Sequence, residues 1–442
     1  MSKPRLVAII GATGTGKSEL AVSIAKRFNG EILNADAMQL YAGLPVITNK
    51  IPVTEQQGIP HHLLGCIGLD AQPWTVSEFV RAAFSIIDEV RSRGRLPILV
   101  GGTHYYTQSL LFHDTLAENE SSDDEPDPAP DSASEASTKW PILGAPTPDI
   151  LAKLAEVDPT MAKRWHPNDR RKIQRSLQIY LQTGRPASSI YAEQRERRSV
   201  GPTTTSPNAP SGLRCPTLLL WTHASAQALT TRLNKRVDTM LATGLVDEVR
   251  TLSSYAATHP SVDTSAGIWV SIGYKEFLPY IVADDADKAR ALVDAMEATK
   301  AATRRYAKRQ LRWIRLKLVK ALRDDEAVHG KRNGGLYVLD SSDVQRYGED
   351  VIAPAAELVQ RFLAEEDMPD PLSFGGDLAI EMLSATPEKK SEPWVTQTCD
   401  VCGMVGTTES DWRQHVAGRK HKKLVAKAKR EQQLKDLQAP GA

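Results

Sequence analysis

The sequence predicts an α/β fold with a parallel sheet at its centre, and three observations support the prediction. Apolar runs that favour strands occupy residues 5–10, 31–35 and 96–100. A glycine-rich turn and a helical pattern follow the first run directly, and another helical stretch near 76–93 precedes the third. Strands that alternate with helices form parallel sheets, in which ligands bind at the carboxyl ends of the strands.

Composition excludes several classes of protein. The chain has 442 residues, of which 41% are hydrophobic and 25% charged, as in folded globular proteins of about three domains. No apolar run reaches the ~18 residues that a membrane span needs, so we expect no membrane partner. Four cysteines do not make a disulfide framework in a chain of this length, which favours a reducing compartment. Because the first strand begins almost at the N-terminus, we expect no signal peptide and a cytoplasmic location.

The net charge of +1 conceals an uneven distribution. Residues 114–139 hold nine acidic residues and one basic residue among serine, proline and alanine, which leaves +9 on the rest of the chain. Such a segment has almost nothing to bury, so we predict a disordered acidic insert there. The folded remainder is therefore basic.

Residues 11–18 match the P-loop pattern G-x-x-x-x-G-K-[ST] between a strand and a helix. Backbone N–H groups of such a loop cradle a diphosphate, Lys17 supplies a positive charge, and Ser18 can ligate Mg²⁺. The alternative is a glycine-rich turn with a chance Lys-Ser pair. The predicted diphosphate-binding residues are Gly11, Ala12, Thr13, Gly14, Thr15, Gly16, Lys17 and Ser18. We therefore expect a core like that of the P-loop NTPases.

The other strand ends argue against a nucleotide kinase. A P-loop kinase uses a later strand that ends in an acid to hold Mg²⁺, whereas the strand at 96–100 ends in Gly-Gly-Thr. Asp36 follows the second strand and is placed for a general base or a metal-organising acid. Spacing alone leaves open the alternative that Asp36 caps the next helix.

Seven spaced motifs carry a family resemblance. They are GATGTGKS at 11–18, LNADAMQLY at 33–41, GIPHHL at 58–63, VGGTHYY at 100–106, HPND at 166–169, SIGYK at 271–275 and TRRYAKRQ at 303–310. In this order they resemble the tRNA dimethylallyltransferases, also called tRNA isopentenyltransferases, over roughly residues 5–320. The P-loop would then hold dimethylallyl diphosphate rather than ATP, and the five-carbon group would pass to N6 of the adenine 3′ of the anticodon.

The resemblance implies catalytic roles for four residues. Asp36 resembles the family's base, which accepts a proton from a weakly nucleophilic exocyclic amine. Thr103 matches a threonine beside the target nucleotide, although it could instead be a capping turn residue. Arg236 matches the family arginine that, with Lys17 and a catalytic Mg²⁺ at Ser18, stabilises the leaving diphosphate. Arg232 in the same motif could be a helix-surface charge.

The resemblance also implies an anticodon stem-loop as partner, with its adenine flipped into a channel through the core. The predicted tRNA-binding residues are Asp36, Ala37, Met38, Gln39, Thr103, Arg171, Lys172, Ile173, Gln174, Arg175, Ser271, Gly273, Tyr274, Lys275, Arg305, Lys308 and Arg309. One departure is Val270, where bacterial members carry arginine. Residues 300–323 contain ten Lys or Arg residues and no acid, which favours RNA-backbone contact over a solvated helix face.

The C-terminal region has the spacing of a C₂H₂ zinc site, C-x2-C-x12-H-x5-H. Its predicted structural Zn²⁺ ligands are Cys399, Cys402, His415 and His421, with the two histidines on one helix. The five-residue gap resembles matrin- or U1-type fingers, which occur on eukaryotic members of the transferase family. By contrast His61, His62 and His104 have no acid or cysteine at ligand spacing, and we expect them to be hydrogen-bonded structural residues.

Two other functions stay open: an adenylate isopentenyltransferase that alkylates a free nucleotide, and a zinc-finger RNA-binding protein without catalysis. We expect a monomer, with mitochondrial and nuclear pools beside the cytoplasmic one. The predicted segments are the P-loop α/β core at 1–113, the acidic insert at 114–147, a helical tRNA-binding insert and linker at 148–212, the second part of the core at 213–345, a connecting segment at 346–393 and the finger with its basic tail at 394–442.

Overall fold

The computed structural model of the chain describes residues 5–113, 140–199, 212–330, 334–384 and 397–438. These residues divide into two compact units, the first made of 5–113 with 212–384 and the second of 140–197 with 397–438. The predicted acidic insert at 114–139 lies outside the described residues, as does most of the predicted linker at 197–212.

A parallel sheet lies at the centre of the first unit. Over the described residues it has six strands in the order β3-β2-β4-β1-β5-β6. The strands are β1 (Leu6–Ile10), β2 (Gly30–Asn34), β3 (His61–His62), β4 (Leu96–Val100), β5 (Thr217–His223) and β6 (Gly335–Asp340). Strands β1, β2 and β4 are those that the three apolar runs predict, and the predicted α/β class is confirmed. The two-residue edge strand β3 has no apolar run and was not predicted.

Helices account for most of the remaining described residues. In chain order they are α1 (Lys17–Arg27), α2 (Val76–Ser92), α3 (His104–Leu111), α4 (Thr147–Val157), α5 (Pro159–Arg164), α6 (Arg170–Thr183), α7 (Ala187–Ser199), α8 (Ala226–Ala242), α9 (Leu245–Thr258), α10 (Tyr274–Val282), α11 (Lys288–Trp313), α12 (Val319–His329), α13 (Ala353–Ala364), α14 (Pro371–Leu383), α15 (Glu409–Ala417) and α16 (Arg419–Gln438). A π-helical turn, Ile314–Leu318, joins α11 to α12.

Both faces of the sheet are covered by helices, which makes the first unit a three-layer structure. Along β1, Val7 and Ile9 enter one core while Leu6, Ala8 and Ile10 enter the other. Helices α1 and α13 close the first core, and α2, α3, α9, α10 and α11 close the second. A strand that is buried on both faces needs apolar residues at every position, which is why β1 reads as a continuous apolar run.

The segment at 346–393, predicted as a connection, contains α13 and α14. Leu358 and Phe362 of α13 are wholly buried against the sheet, and Ala379 and Met382 of α14 pack into the opposite core. These helices therefore extend the α/β core beyond the last strand.

The second unit combines four helices with a small β-hairpin module. Helices α4 to α7 form where the helical pattern predicts them, around buried Ile150, Leu154, Trp165 and Leu177. In the C-terminal module, strands β7 (Gln397–Thr398) and β8 (Val405–Gly406) pair antiparallel ahead of α15 and α16. Within the described ranges of either unit, no helix combines the length and the apolar character that crossing a membrane requires.

Candidate functional site

The P-loop runs from the end of β1 to the first residue of α1. Gly11 has a φ of +147°, and a Cβ atom there would approach the Thr222 carbonyl oxygen to 2.4 Å. Only glycine fits so close an approach of loop and strand backbone. The loop therefore has the conformation and the strand-loop-helix setting that its sequence predicts.

Lys17 and Arg236 meet at this loop from different elements. Lys17 Nζ donates to the Ala12 carbonyl oxygen at 2.7 Å, and Arg236 Nη1, from α8, donates to Thr13 Oγ1 at 2.5 Å. Two cations at one loop create a site for a multiply charged anion. Arg232, one turn earlier, donates to the carbonyl oxygens of residues 341 and 342 after β6, so it anchors a loop and is more than a surface charge.

Burial shifts the titration of the groups around the loop. Burial, helped by the nearby Arg236 charge, lowers the pKa of Lys17 to about 7, although Asp36 acts in the opposite sense. Burial also lowers the pKa of Arg236. His104, at the start of α3, is wholly buried, and burial with the Lys17 charge lowers its pKa to about 3, so its imidazole is neutral. A bound anion would stabilise the protonated form of Lys17 and so raise its pKa.

Asp36 lies at the carboxyl end of β2 and uses its two carboxylate oxygens differently. Oδ1 accepts from the N–H of Met38, the first residue of the short 3₁₀ helix Met38–Leu40, at 3.0 Å, although the N-cap position of that helix is Ala37. Oδ2 lies against Gly102, where a Cβ atom would come within 2.3 Å of it. Burial raises the pKa of Asp36 against the opposing effects of the Met38 N–H and the Lys17 charge. The carboxylate is therefore a stronger base than an exposed one.

Thr103 and the residues after Asp36 surround the carboxylate. Thr103 Oγ1 accepts from the Ala37 N–H at 3.0 Å, which joins the loops that follow β4 and β2. Gln39 Nε2 donates to the carbonyl oxygens of Thr48 and Asn49. Met38, between Ala37 and Gln39 in the sequence, is half-buried. The structure thus brings together the predicted residues of the P-loop, Asp36 and Thr103.

The segment 271–275 packs beside the loop that Gln39 holds. A Cβ atom on Gly273, whose φ is +106°, would touch Ile47 at 3.5 Å and Leu245 at 3.4 Å. Ser271 and Tyr274 are buried and Lys275 is exposed at the start of α10. Only Lys275 of this predicted tRNA-contacting segment therefore has a long polar side chain at the surface.

The predicted basic stretch at 300–323 extends from α11 through the π-helical turn into α12, and its charges are not all unpaired. Arg305 and Lys308 are exposed, whereas Arg309 is half-buried with its guanidinium 5.7 Å from the Tyr306 ring. Lys300 forms an ion pair with Asp238 at 2.8 Å. Part of the positive charge of this stretch is therefore compensated, but Arg305 and Lys308 remain exposed.

Gln310 of α11 is a residue of this site that the sequence analysis did not single out. It is wholly buried, and its Oε1 accepts from the Thr13 N–H at 2.8 Å. Its Nε2 donates to the Gly102 carbonyl oxygen at 2.7 Å. Its position as the last residue of the motif at 303–310 was the one feature of the sequence that could have indicated a role in the site.

Residues 171–175 lie on α6 of the second unit. Ile173 is wholly buried in that unit's core, so its side chain offers no surface to RNA. Lys172 pairs with Asp169 at 3.1 Å, Gln174 Nε2 donates to a carbonyl oxygen at residue 143, and Arg175 bonds Gln178 at 3.4 Å. Arg171 is half-buried. The polar members are thus fixed by local contacts.

The four predicted zinc ligands converge in the C-terminal module. All four ligand atoms lie within 4.8 Å of one another, and they belong to Cys399, Cys402, His415 and His421. The Cys399 Sγ to His421 Nδ1 distance is 3.6 Å and the Cys402 Sγ to His415 Nε2 distance is 3.4 Å. A tetrahedral Zn²⁺ places sulfur and nitrogen ligands about 3.6 Å apart, so these residues fit the metal.

The histidines of this site do not share one helix, contrary to the prediction. Gly418 has the extended angles φ −68° and ψ 142°, and it separates α15 with His415 from α16 with His421. A continuous helix would place residues six apart on different faces, whereas the break turns both rings inward, with centroids 4.5 Å apart.

Comparison with known proteins agrees with this geometry. Family models described as IPP transferase, isopentenyl transferase and zinc finger of C2H2 type match residues 39–317, 4–61 and 398–421. The tRNA dimethylallyltransferase of Schizosaccharomyces pombe is 38% identical over 97% of this chain and 96% of its own, and that of Homo sapiens is 33% identical over 96% and 86%. A crystal structure of a eukaryotic dimethylallyltransferase acting on tRNA is 31% identical, with a TM-score of 0.76 over 99% of this chain and 100% of that one. Because these similarities extend over almost the whole length, the chain belongs to the tRNA dimethylallyltransferase family and carries a C-terminal C₂H₂ zinc finger.

Proposed function

We propose that the protein transfers the dimethylallyl group of dimethylallyl diphosphate to N6 of the adenine 3′ of the anticodon in tRNA, and releases diphosphate. The observation that carries the proposal is the meeting of an anion-binding loop with a buried carboxylate. Lys17 and Arg236 supply the cations, and Asp36 the carboxylate. The activity of the related tRNA dimethylallyltransferases supports the same reaction.

The loop suits a diphosphate that leaves rather than a phosphoryl group that is transferred. Strand β4 ends in Gly101, Gly102 and Thr103, so it offers no acid where a P-loop kinase needs one for its metal. The acid of this site is Asp36 at the neighbouring strand end, where a base is needed for alkylation of an amine.

The reaction balances with the groups present. The C1–O bond of the allylic diphosphate breaks and its electron pair leaves with the diphosphate, while the adenine N6 lone pair forms the new bond to C1. The N6 proton passes to Asp36. Lys17, Arg236 and the loop N–H groups stabilise the negative charge that grows on the departing oxygens.

Ser18 would hold the Mg²⁺ of this site. Its exposed hydroxyl, at the second residue of α1, is a hard oxygen ligand of the kind that Mg²⁺ combines with phosphate oxygens and water. When bound, the ion would supply further positive charge to the diphosphate.

The Asp36 site is recessed, so a stacked adenine cannot reach it. Asp36 and Gln39 are half-buried, and Thr103 is only 8% exposed. We therefore expect the adenine to leave its stack before reaction, with the exposed Arg305, Lys308 and Lys275 in contact with the RNA backbone around it.

Labelled dimethylallyl diphosphate tests the proposal. The protein is incubated with Mg²⁺ and an unmodified tRNA, the same tRNA with guanine in place of the target adenine, or AMP. We expect label in the first RNA alone. Label in AMP would identify a nucleotide prenyltransferase, and no label in any acceptor would leave an RNA-binding protein without this activity.

A further inference from the structure

One buried side chain connects the two halves of the proposed active site. Gln310 is 0% exposed, and both ends of its carboxamide are hydrogen-bonded to backbone groups 297 and 208 residues away. A buried amide without partners costs a few kcal/mol, so both contacts are strongly favoured. The carbonyl oxygen must face the Thr13 N–H and the amino group the Gly102 carbonyl, because the reverse orientation would pair donor with donor.

The two hydrogen-bond partners of Gln310, Thr13 and Gly102, lie on different sides of the proposed active site. Thr13 lies in the diphosphate loop, and its hydroxyl accepts from Arg236. Gly102 forms the wall against which Asp36 Oδ2 lies. The carboxamide of Gln310 therefore spans from the leaving-group side to the base side of the site.

The helix around Gln310 is itself fixed on the loop. Ala307, one turn before it, is buried with Ala12 of the loop and with Leu229 and Leu233 of α8. Tyr306 Oη donates to the Gly102 carbonyl oxygen at 3.3 Å, beside the Gln310 bond. One face of α11 thus contacts both the P-loop and the loop that contains Gly102, while Arg305 and Lys308 of the same helix remain exposed.

We propose that Gln310 is a positioning residue for the transfer reaction, whose carboxamide sets the separation between the diphosphate loop and the wall that supports Asp36. The inference rests on the proposed function. An alkyl transfer depends on the alignment of nucleophile, carbon and leaving group, and a misplacement of about 1 Å can cost about a hundredfold in rate. Gln310 need not touch either substrate for this effect.

The test compares Gln310→Leu with Gln108→Leu in the full-length protein. Gln108 of α3 is the control, because its Oε1 accepts from Trp313 Nε1 of α11 at 2.9 Å and its side chain forms no hydrogen bond with either loop among the described residues. We expect Gln310→Leu to lower kcat at saturating tRNA and dimethylallyl diphosphate by about a hundredfold, with the Kd for tRNA within about twofold of wild type. Gln108→Leu should keep its kcat within about twofold.

Gln310→Glu separates positioning from simple packing. Its carboxylate can accept from the Thr13 N–H but can donate to Gly102 only when protonated, so its rate relative to wild type should rise as pH falls. Other titratable groups also face this region, namely Asp36, Lys17, Arg236 and Tyr306, and they are present in both proteins. The ratio of the variant's rate to the wild-type rate at each pH therefore reports on residue 310. A ratio that stays constant with pH would contradict the proposal even if Gln310→Leu does not fold.

The two proposals fail separately. A wild-type protein that labels no tRNA contradicts the proposed function. A wild type that labels tRNA while Gln310→Leu keeps its kcat, or loses no more than Gln108→Leu, contradicts the positioning role alone.

Discussion

At the scale of single residues, burial acts on Lys17 and Asp36 in opposite senses. It lowers the pKa of the lysine to about 7 and raises that of the aspartate, because burial disfavours the charged form of each. Their mutual attraction opposes both shifts. Without a bound anion, the loop therefore holds its lysine only partly charged near neutral pH, and a bound diphosphate would complete the protonation.

Binding of diphosphate should consequently take up a proton at Lys17. With a pKa of about 7 in the free protein, Lys17 is mostly neutral at pH 8, so we expect uptake of roughly one proton per site there and weaker affinity as pH rises above 7. Calorimetry in two buffers of different ionisation enthalpy measures the uptake. Lys17→Met should abolish most of it, whereas Lys26→Met, on the exposed face of the same helix, should not; equal uptake in both variants would contradict the assignment.

Replacement of Asp36 by asparagine should remove the proton acceptor and keep the shape of the site. We expect single-turnover transfer to fall by about 10²–10⁴-fold with little change in the Kd for tRNA. Asp88→Asn is the control, because Asp88 is 77% exposed on α2 and outside the site. Unchanged turnover in Asp36→Asn would exclude Asp36 as the base.

At the scale of elements, Glu31 ties the first residues of β2 to its neighbours. Its carboxylate is 2% exposed and accepts from Arg93 at 2.8 Å, from Arg95 at 3.1 Å and from His62 of β3 at 2.6 Å. Burial alone would raise the pKa of Glu31, but the hydrogen bonds from Arg93 and His62 outweigh it and lower the pKa to about 2. His62 is thus a hydrogen-bonded structural residue, as predicted, and His61 bonds the Ile59 carbonyl oxygen.

Loss of the Glu31 charge should destabilise the sheet. We expect Glu31→Gln to lower the free energy of unfolding by about 2–3 kcal/mol at pH 7. Since the folded-state pKa lies below the unfolded one, the stabilisation is complete above about pH 4.5 and disappears as the pH falls toward 2. Urea denaturation of wild type and variant between pH 7 and pH 3 measures it. Glu89→Gln, which removes an exposed partner of the same Arg93, should change stability little.

At the scale of the whole molecule, exposed basic side chains are present in both units. The first unit exposes Arg305 and Lys308 on α11. In the second, α16 exposes a basic series after the zinc site, made of Arg419, Lys420, Lys422, Lys423, Lys427 and Arg430. The proposed catalytic residues all lie in the first unit, so we expect binding and turnover to be separable.

Deletion of residues 394–442 should therefore weaken tRNA binding more than catalysis. We expect the Kd for tRNA to rise roughly tenfold at physiological salt and its salt dependence to become shallower, because fewer phosphate contacts remain. Turnover at saturating tRNA should stay within about twofold of wild type. Full-length Cys399→Ser, which removes one zinc ligand, should shift the Kd in the same direction; a lower kcat at saturating tRNA in both proteins would contradict this division.

Features that depend on neighbouring residues could be predicted from the sequence. The P-loop at 11–18 and the Cys and His spacing at 399–421 are local patterns whose geometry follows from the chain, and the doubly buried strands appear as apolar runs. Asp36 and Thr103 could be placed at one edge because parallel strands end on the same side of a sheet.

Features that depend on contacts between distant residues could be recognised only in the folded chain. Nothing local in His61-His62 indicates an edge strand, and nothing in α13 shows that it covers the sheet. Gln310 has its function in this site only through Thr13 and Gly102, which lie hundreds of residues away and approach it through the packing of α11 on the loop. A buried polar side chain is specified by its partners, and these come together only when the whole chain has folded.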